Sequence, residues 1–105
     1  MPIPPRSVRR VAASALERRR ERRKTTQRPG GTAVGVARAR DLAAGRDIPF
    51  RTLQRMRSFF ARHDTEEERA ARREDDTSPA AIAWDLWGGD AGRRWAESQL
   101  ERRGL

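Results

Sequence analysis

The chain has 105 residues, of which 35% are hydrophobic and 37% charged, and it contains no cysteine. A chain of this length and composition can form one domain with a small core, because small domains bury a limited fraction of their surface. The lack of cysteine excludes disulfides and zinc–thiolate sites, and no stretch approaches the roughly 20 apolar residues of a membrane span.

The charge is distributed unevenly along the chain. Residues 1–62 hold 17 Arg or Lys against 4 Asp or Glu, a net charge of +13, whereas residues 63–105 hold 7 against 11, a net charge of −4. Only Lys24 among the 24 basic residues is a lysine. Guanidinium groups grip phosphate or carboxylate in two places and stack on bases, so the basic half indicates a polyanionic partner, most often nucleic acid. Solubility charge and contact with an acidic protein are the alternatives.

Residues 1–29 are predicted to form a basic N-terminal arm outside the core. The prolines at its start favour an extended chain, and the good helix formers of residues 8–23 then favour a helix with Ser7 as its N-cap. The apolar stripe of this helix ends at Leu16, after which arginines surround it, so its second half offers no side to a core. The candidate phosphate ligands in the arm are Arg18, Arg19, Arg20, Arg22, Arg23, Lys24 and Arg28.

A glycine-rich break, Arg28-Pro29-Gly30-Gly31, separates the arm from a small helical domain predicted to span residues 30–105. Thr32 is expected to cap a second helix over about residues 33–44. Backbone N–H groups before a helix can hold a phosphate, which makes this segment, with Arg28 and Thr32, a candidate backbone-phosphate site. A hinge between arm and domain is the alternative. The Gly-Lys-Ser/Thr of a nucleotide-binding P-loop is missing.

The third helix, over about residues 50–62, has the clearest periodicity. Its inward stripe is Leu53, Met56 and Phe60, and the opposite side presents Arg51, Arg55, Ser58 and Arg62. With the second helix and the turn at Gly45 it resembles a helix-turn-helix arrangement, which would offer to a nucleic-acid groove Arg51, Gln54, Arg55 and Arg62. A solvated cationic face is the alternative.

Residues 63–78 are almost entirely polar and are expected to form a charged loop. Thr65 and Glu68 match a capping box, so a short exposed helix over residues 66–73 is equally consistent with the sequence. The acidic residues here lack the ordered spacing of metal ligands, and His63, the only histidine, is expected to cap a helix end. We therefore expect no metal site, no cofactor and no enzymatic activity.

Three tryptophans lie close together near the C-terminus. Ser78-Pro79 predicts the start of a fourth helix over about residues 79–87, which carries Trp84 and Trp87. Gly88-Gly89 ends it, and Asp90 is expected to cap a fifth helix, over about residues 91–102, which carries Trp95. Each buried aromatic side chain removes roughly 150–250 Å² from water, so these rings are expected in the core rather than on a binding surface.

The pattern as a whole predicts an all-α fold. We expect a compact bundle of about four short helices, preceded by the basic N-terminal helical arm. No internal repeat and no strand pattern is present.

Three blocks of the sequence, GGTAVGVARARDLAAG, RMRSFFARH and IAWDLWGGDAGRRWAE, resemble a family of small helical proteins and modules encoded by bacteriophages and prophages, some of them associated with head and structural genes. The resemblance extends from about Val8 to Trp95, and its last block is the most specific. It implies a phage origin and a compact helical unit, and it supplies neither a catalytic residue nor an assigned activity.

These observations lead to one expected function and one alternative. The first is a small basic phage protein that binds nucleic acid, with DNA as the expected form, through arginine–phosphate contacts. The alternative is a virion structural or adaptor protein, whose basic arm and tryptophan-rich unit dock onto other phage proteins. No membrane association is expected, and the location would be the host cytoplasm or the virion.

Overall fold

The computed structural model describes all 105 residues, and it is all-helical. Six helices follow one another: α1 (Arg6–Arg23), α2 (Ala33–Ala43), α3 (Phe50–Arg62), α4 (Glu66–Glu74), α5 (Pro79–Leu86) and α6 (Gly89–Arg102). The all-α prediction is confirmed. The expected number of about four domain helices is too low, because residues 66–74, for which the sequence left a loop and a short helix equally open, form α4.

Helix α1 belongs to the core, so the prediction of an arm outside it is wrong. Val8, Ala12 and Ala15 are fully buried, and α1 packs against α2, α5 and α6. Small side chains let the backbones of two helices approach closely, which allows a stripe made mainly of alanine to serve as a packing face. Ser7 is not the cap, because α1 begins at Arg6 and Pro5 holds the N-cap position.

The segment before α1 is also held in place. The backbone N–H of Ile48 donates to the carbonyl of Pro2 at 2.8 Å, and Pro4 is fully buried. This contact ties the start of the chain to the segment that joins α2 to α3.

The core contains 16 buried residues drawn from five of the helices, from the segment before α3 and from the residue that follows α5. Leu53, Met56 and Phe60 are completely buried, Trp84 and Trp87 are buried, and Trp95 is half-buried against the same cluster. Phe60 meets Trp84 edge to face, with ring centroids 4.8 Å apart, a geometry favoured by the ring quadrupoles. The tryptophans therefore act mainly in packing.

Local signals set most helix ends. Thr32, Thr65 and Ser78 each accept a hydrogen bond from the backbone N–H three residues later, as N-caps do. Gly88 has φ of 100°, a conformation that side-chain-bearing residues rarely adopt, and it is the N-cap of α6. The expected cap, Asp90, lies in the first turn of α6 and accepts the indole N–H of Trp84 at 2.9 Å.

Helices α2 and α3 do not have each other as main packing partners, as the two helices of a helix-turn-helix motif would. In that motif the two helices pack against each other, whereas here α2 packs against α1 and α5, and α3 packs against α6. None of the six helices has the length and apolar character needed to cross a bilayer.

Candidate functional site

The outer side of α3 is cationic because the helix is strongly amphipathic. Leu53, Met56 and Phe60 fix one side of it in the core. The opposite side therefore faces solvent, and Arg51, Arg55 and Arg62 are all exposed. None of these three arginines forms an ion pair within the chain, so their hydrogen-bond donors are free to meet an external anion.

These arginines border an open groove of about 570 Å³ between α3 and the start of α2, which we call the α2–α3 groove. No carboxylate lines it; its residues are Thr32, Val34, Arg51, Gln54, Arg55, Ser58, Phe59, Arg62, His63 and Trp87. The nearest acidic contact is at its edge, where His63 Nδ1 lies 2.9 Å from Glu68 Oε2. The groove thus combines free guanidinium groups with neutral hydrogen-bonding side chains.

The floor of the α2–α3 groove is aromatic and rigid. Phe59 and Trp87 stack with ring centroids 4.6 Å apart and an interplanar angle of 12°. Both are more than nine-tenths buried, so their ring faces are already used in packing and do not offer a platform for a base. The guanidinium of Arg38 lies 5.6 Å from the Trp87 ring centroid, within the distance of a cation–π contact.

Arg38 adds positive charge beside this floor. Burial lowers the pKa of Arg38 below its usual value, the nearby Asp41 acts in the opposite direction, and Arg55 lowers it further. Arg38 Nη1 lies 3.5 Å from Asp41 Oδ2. Arg38 is therefore a largely buried cation with the exposed Arg55 as its neighbour.

The arginines at the end of α1 have two different roles. Three of them bond to the protein itself: Arg18 to Asp85 Oδ2 at 2.7 Å and to the Asp76 carbonyl, Arg19 to the Gly30 carbonyl at 2.9 Å, and Arg22 to the Thr77 carbonyl at 3.2 Å. These contacts fasten α1 to the loops before α2 and α5. The assignment of Arg18 to phosphate contact is not supported by this geometry.

The other basic residues in this region remain accessible. Arg20 pairs with Glu17 at 2.9 Å and Lys24 with Glu21 at 3.1 Å, both on the exposed surface, where such pairs contribute little and are easily exchanged. Arg23 and Arg28 are exposed and take part in no ion pair.

A second arginine-lined groove, the α1–α2 groove, has a volume of about 370 Å³ and is lined by Leu16, Arg19, Arg20, Arg23, Val36 and Arg40. Burial lowers the pKa of Arg19, and the proximity of Arg23 and Arg40 lowers it further. Sequence reasoning did not single out Arg40. Its place on the side of α2 next to α1 becomes apparent only when α1 is known to pack there.

The glycine-rich segment before α2 lies close against α5. A Cβ on Gly30 would lie 2.7 Å from the carbonyl oxygen of Pro79, and one on Gly31 would lie 2.4 Å from Leu86 Cδ1. The Thr32 hydroxyl is occupied by the N–H of Gly35 at 3.2 Å. Thr32 thus caps α2 and lines the α2–α3 groove, while the glycines let the loop approach α5.

Asp64 is one of the acidic residues that make contacts within the chain. Asp64 accepts from Arg69 at 2.7 Å and from Arg93 at 3.1 Å, and these two hydrogen bonds hold the pKa of Asp64 below its usual value. No group of three or more histidine, aspartate or glutamate side chains is placed to hold a metal ion.

No protein-family model, no curated protein and no solved structure matches this chain.

Proposed function

We propose that this protein binds nucleic acid through arginine–phosphate contacts centred on the α2–α3 groove. The observation that carries the proposal is that three exposed arginines, Arg51, Arg55 and Arg62, border one groove without an internal anionic partner. Unpaired guanidinium groups on one side of a helix repel one another, so an anion that bridges them is bound favourably.

Further cations extend this surface toward α1. Arg20, Arg23, Lys24 and Arg28 are exposed and either unpaired or in weak surface pairs, so they can add phosphate contacts at the margin. Contacts of this kind fix a protein on the polymer and carry little sequence information. Binding of this kind requires no catalysis and no cofactor. Because it releases condensed counterions from the nucleic acid, its affinity depends steeply on salt concentration.

As part of this proposal, and on the strength of the sequence resemblance to bacteriophage proteins alone, we expect the activity in an infected host cell or in a phage particle. In either setting the partner would be phage or host DNA. An adaptor that docks onto phage structural proteins is the competing function, and the experiment below separates the two.

The test compares two variants with equal loss of charge. One replaces Arg51, Arg55 and Arg62 by glutamine, and the matched control replaces Arg6, Arg94 and Arg102, which are exposed and unpaired elsewhere on the surface. Fluorescence anisotropy with a labelled DNA duplex at low salt measures Kd, and circular dichroism confirms folding. We expect the α3 variant to bind at least about tenfold more weakly than the control.

Equal losses in the two variants would show that only net charge matters and would reject the groove as the site. Failure of the wild-type chain to bind any duplex or single strand at low salt would reject nucleic-acid binding altogether. Capture of phage head or tail proteins after nuclease treatment, by a chain that does not bind DNA, would establish the adaptor function instead.

A further inference from the structure

Helix α2 lies between the two arginine-lined grooves. Successive helical residues are about 100° apart, so Val34 lies about 60° to one side of Ala37 and Arg40 about 60° to the other. Val34 lines the α2–α3 groove and Arg40 lines the α1–α2 groove. Ala37 is exposed, and it therefore marks the centre of a ridge that has a cationic groove on each flank.

The ridge is narrow and carries little negative charge. Its exposed residues are mostly alanine: Ala33, Val34, Ala37, Arg40 and Ala44. The single acidic residue of α2, Asp41, is held by Arg46 at 2.7 Å and by Arg38 at 3.5 Å. No carboxylate lines either groove. Arginines of α1 and α3 thus lie on either side of α2, whose exposed side chains are mostly small.

We propose that the ligand of this surface is B-form duplex DNA, with α2 in the major groove and the arginines of α1 and α3 on the two phosphate strands that border it. This inference rests on the proposed function and specifies its substrate. The major groove of B-DNA is about 12 Å wide and admits a helix, and a helix with its side chains is about 10–12 Å across. The short side chains on the ridge of α2 make its insertion easier.

The same geometry disfavours other nucleic acids. A single strand has one backbone, so it can fill only one of the two grooves at a time. The major groove of an RNA duplex is deep and narrow and does not admit a helix. Arg40 is the only polar side chain among the exposed ridge residues, so contact with base edges is limited and sequence preference is expected to be weak.

The first test measures Kd of the full chain for three labelled probes at one salt concentration. The probes are a 20-base-pair DNA duplex, one of its strands alone, and an RNA duplex of the same sequence. We expect the DNA duplex to bind at least about tenfold tighter than either of the others, because it alone has a major groove wide enough to admit α2 between two phosphate strands. Equal affinity for the RNA duplex or for the single strand would overturn the inference.

The second test uses variants on the ridge and on its α1 flank. Ala37→Glu places a negative charge and bulk on the ridge, and Ala70→Glu is its control, since Ala70 is an exposed alanine on α4. The pair R23Q and R40Q removes two exposed, unpaired charges from the α1–α2 groove. We expect Ala37→Glu and the double variant each to weaken duplex binding about tenfold or more, and Ala70→Glu to weaken it much less.

The outcomes separate this inference from the proposed function. If only the variant in Arg51, Arg55 and Arg62 loses affinity, α2 does not enter the DNA groove, and the proposed function stands without the inference. If Ala37→Glu and Ala70→Glu weaken duplex binding to the same extent, the inference is likewise overturned. If no variant loses affinity relative to its control, both proposals fail.

Discussion

Replacing Arg18 by glutamine should destabilise the fold while leaving nucleic-acid affinity close to that of the wild type. Arg18 is one of a run of basic residues at the end of α1, yet its side chain is only 18% exposed and its guanidinium contacts Asp85, which is 25% exposed. The substitution removes a charged hydrogen bond at 2.7 Å and the contact with the Asp76 carbonyl. It leaves a half-buried carboxylate without its cation.

The magnitude follows from the burial of this pair. Removing one partner of a fully buried ion pair costs about 3–5 kcal/mol, and a hydrogen bond to a charged group contributes about 1.5–3 kcal/mol. Because both side chains keep some contact with water, we expect a loss of about 2 kcal/mol in the free energy of unfolding. For a domain of this size that loss lowers Tm by about 8 °C or more.

The assay pairs urea unfolding, followed by tryptophan fluorescence, with anisotropy titration of duplex DNA. Arg23→Gln is the matched control, because Arg23 lies in the same helix, is exposed and has no ion pair. We expect Arg23→Gln to weaken binding with little effect on stability, the reverse of Arg18→Gln. An Arg18→Gln protein as stable as the wild type, or one that loses more DNA affinity than Arg23→Gln, would refute the reasoning.

The destabilisation should also depend on pH. Burial raises the pKa of Asp85 above its usual 3.8, and Arg18 opposes that rise. A raised pKa in the folded state means that protonation of Asp85 favours folding. The stabilisation by the protonated Asp85 is therefore fully present below about pH 3.8 and is lost as the pH rises through the folded-state pKa. Without Arg18 the pKa rises further, so the cost of Arg18→Gln should be largest at neutral pH and shrink in acid.

Three further predictions concern stability, each measured by urea unfolding. Gly92→Ala places a Cβ 2.5 Å from the carbonyl oxygen of Trp87. We expect this overpacking to lower the free energy of unfolding by about 1–3 kcal/mol. An unchanged free energy of unfolding would contradict the close packing of the α5–α6 turn. Asp90→Ala removes the acceptor of the Trp84 indole N–H and should cost about 1 kcal/mol, whereas Asp90→Asn, which keeps an acceptor, should cost less. Asp64 has a lowered pKa because Arg69 and Arg93 donate hydrogen bonds to it. Its contribution to the free energy of unfolding is therefore present above its unfolded-state pKa and is lost as the pH falls through the lower folded-state pKa. Asp64→Asn should flatten the dependence of stability on pH in this acid range, and an unchanged dependence would contradict the role of these hydrogen bonds.

The sequence predicts those parts of the fold that are encoded locally. The bounds of α3, residues 50–62, agree with the structure because its apolar period is regular and its opposite side is polar. The caps Thr32 and Ser78 were predicted from residue type and from the proline after Ser78, and both accept the expected backbone hydrogen bond.

The place of α1 could not be predicted because it depends on contacts between distant segments. Alanine is a weak indicator of burial, so Ala12 and Ala15 gave little sign of a core face. The arginines beyond Leu16 resembled a solvated arm because their partners, Asp85 and the carbonyls of Gly30 and Thr77, are far away in the sequence. Periodicity alone does not show which arginine meets which distant oxygen.

The candidate site was therefore predicted in part. The cationic side of α3 follows directly from residue spacing, and the structure places Arg51, Arg55 and Arg62 along one groove. The contribution of Arg40 and the second groove depend on the packing of α1 against α2, which local patterns do not encode.

The most direct test of the central claim is the salt dependence of duplex binding for the wild type and for the variant lacking Arg51, Arg55 and Arg62. If the three arginines each neutralise one phosphate, the slope of log K against log salt should become less steep by about 2.7 in the variant. The control lacking Arg6, Arg94 and Arg102 should keep nearly the wild-type slope. Equal slopes for all three proteins would contradict the claim that the side of α3 facing the groove binds the phosphate backbone.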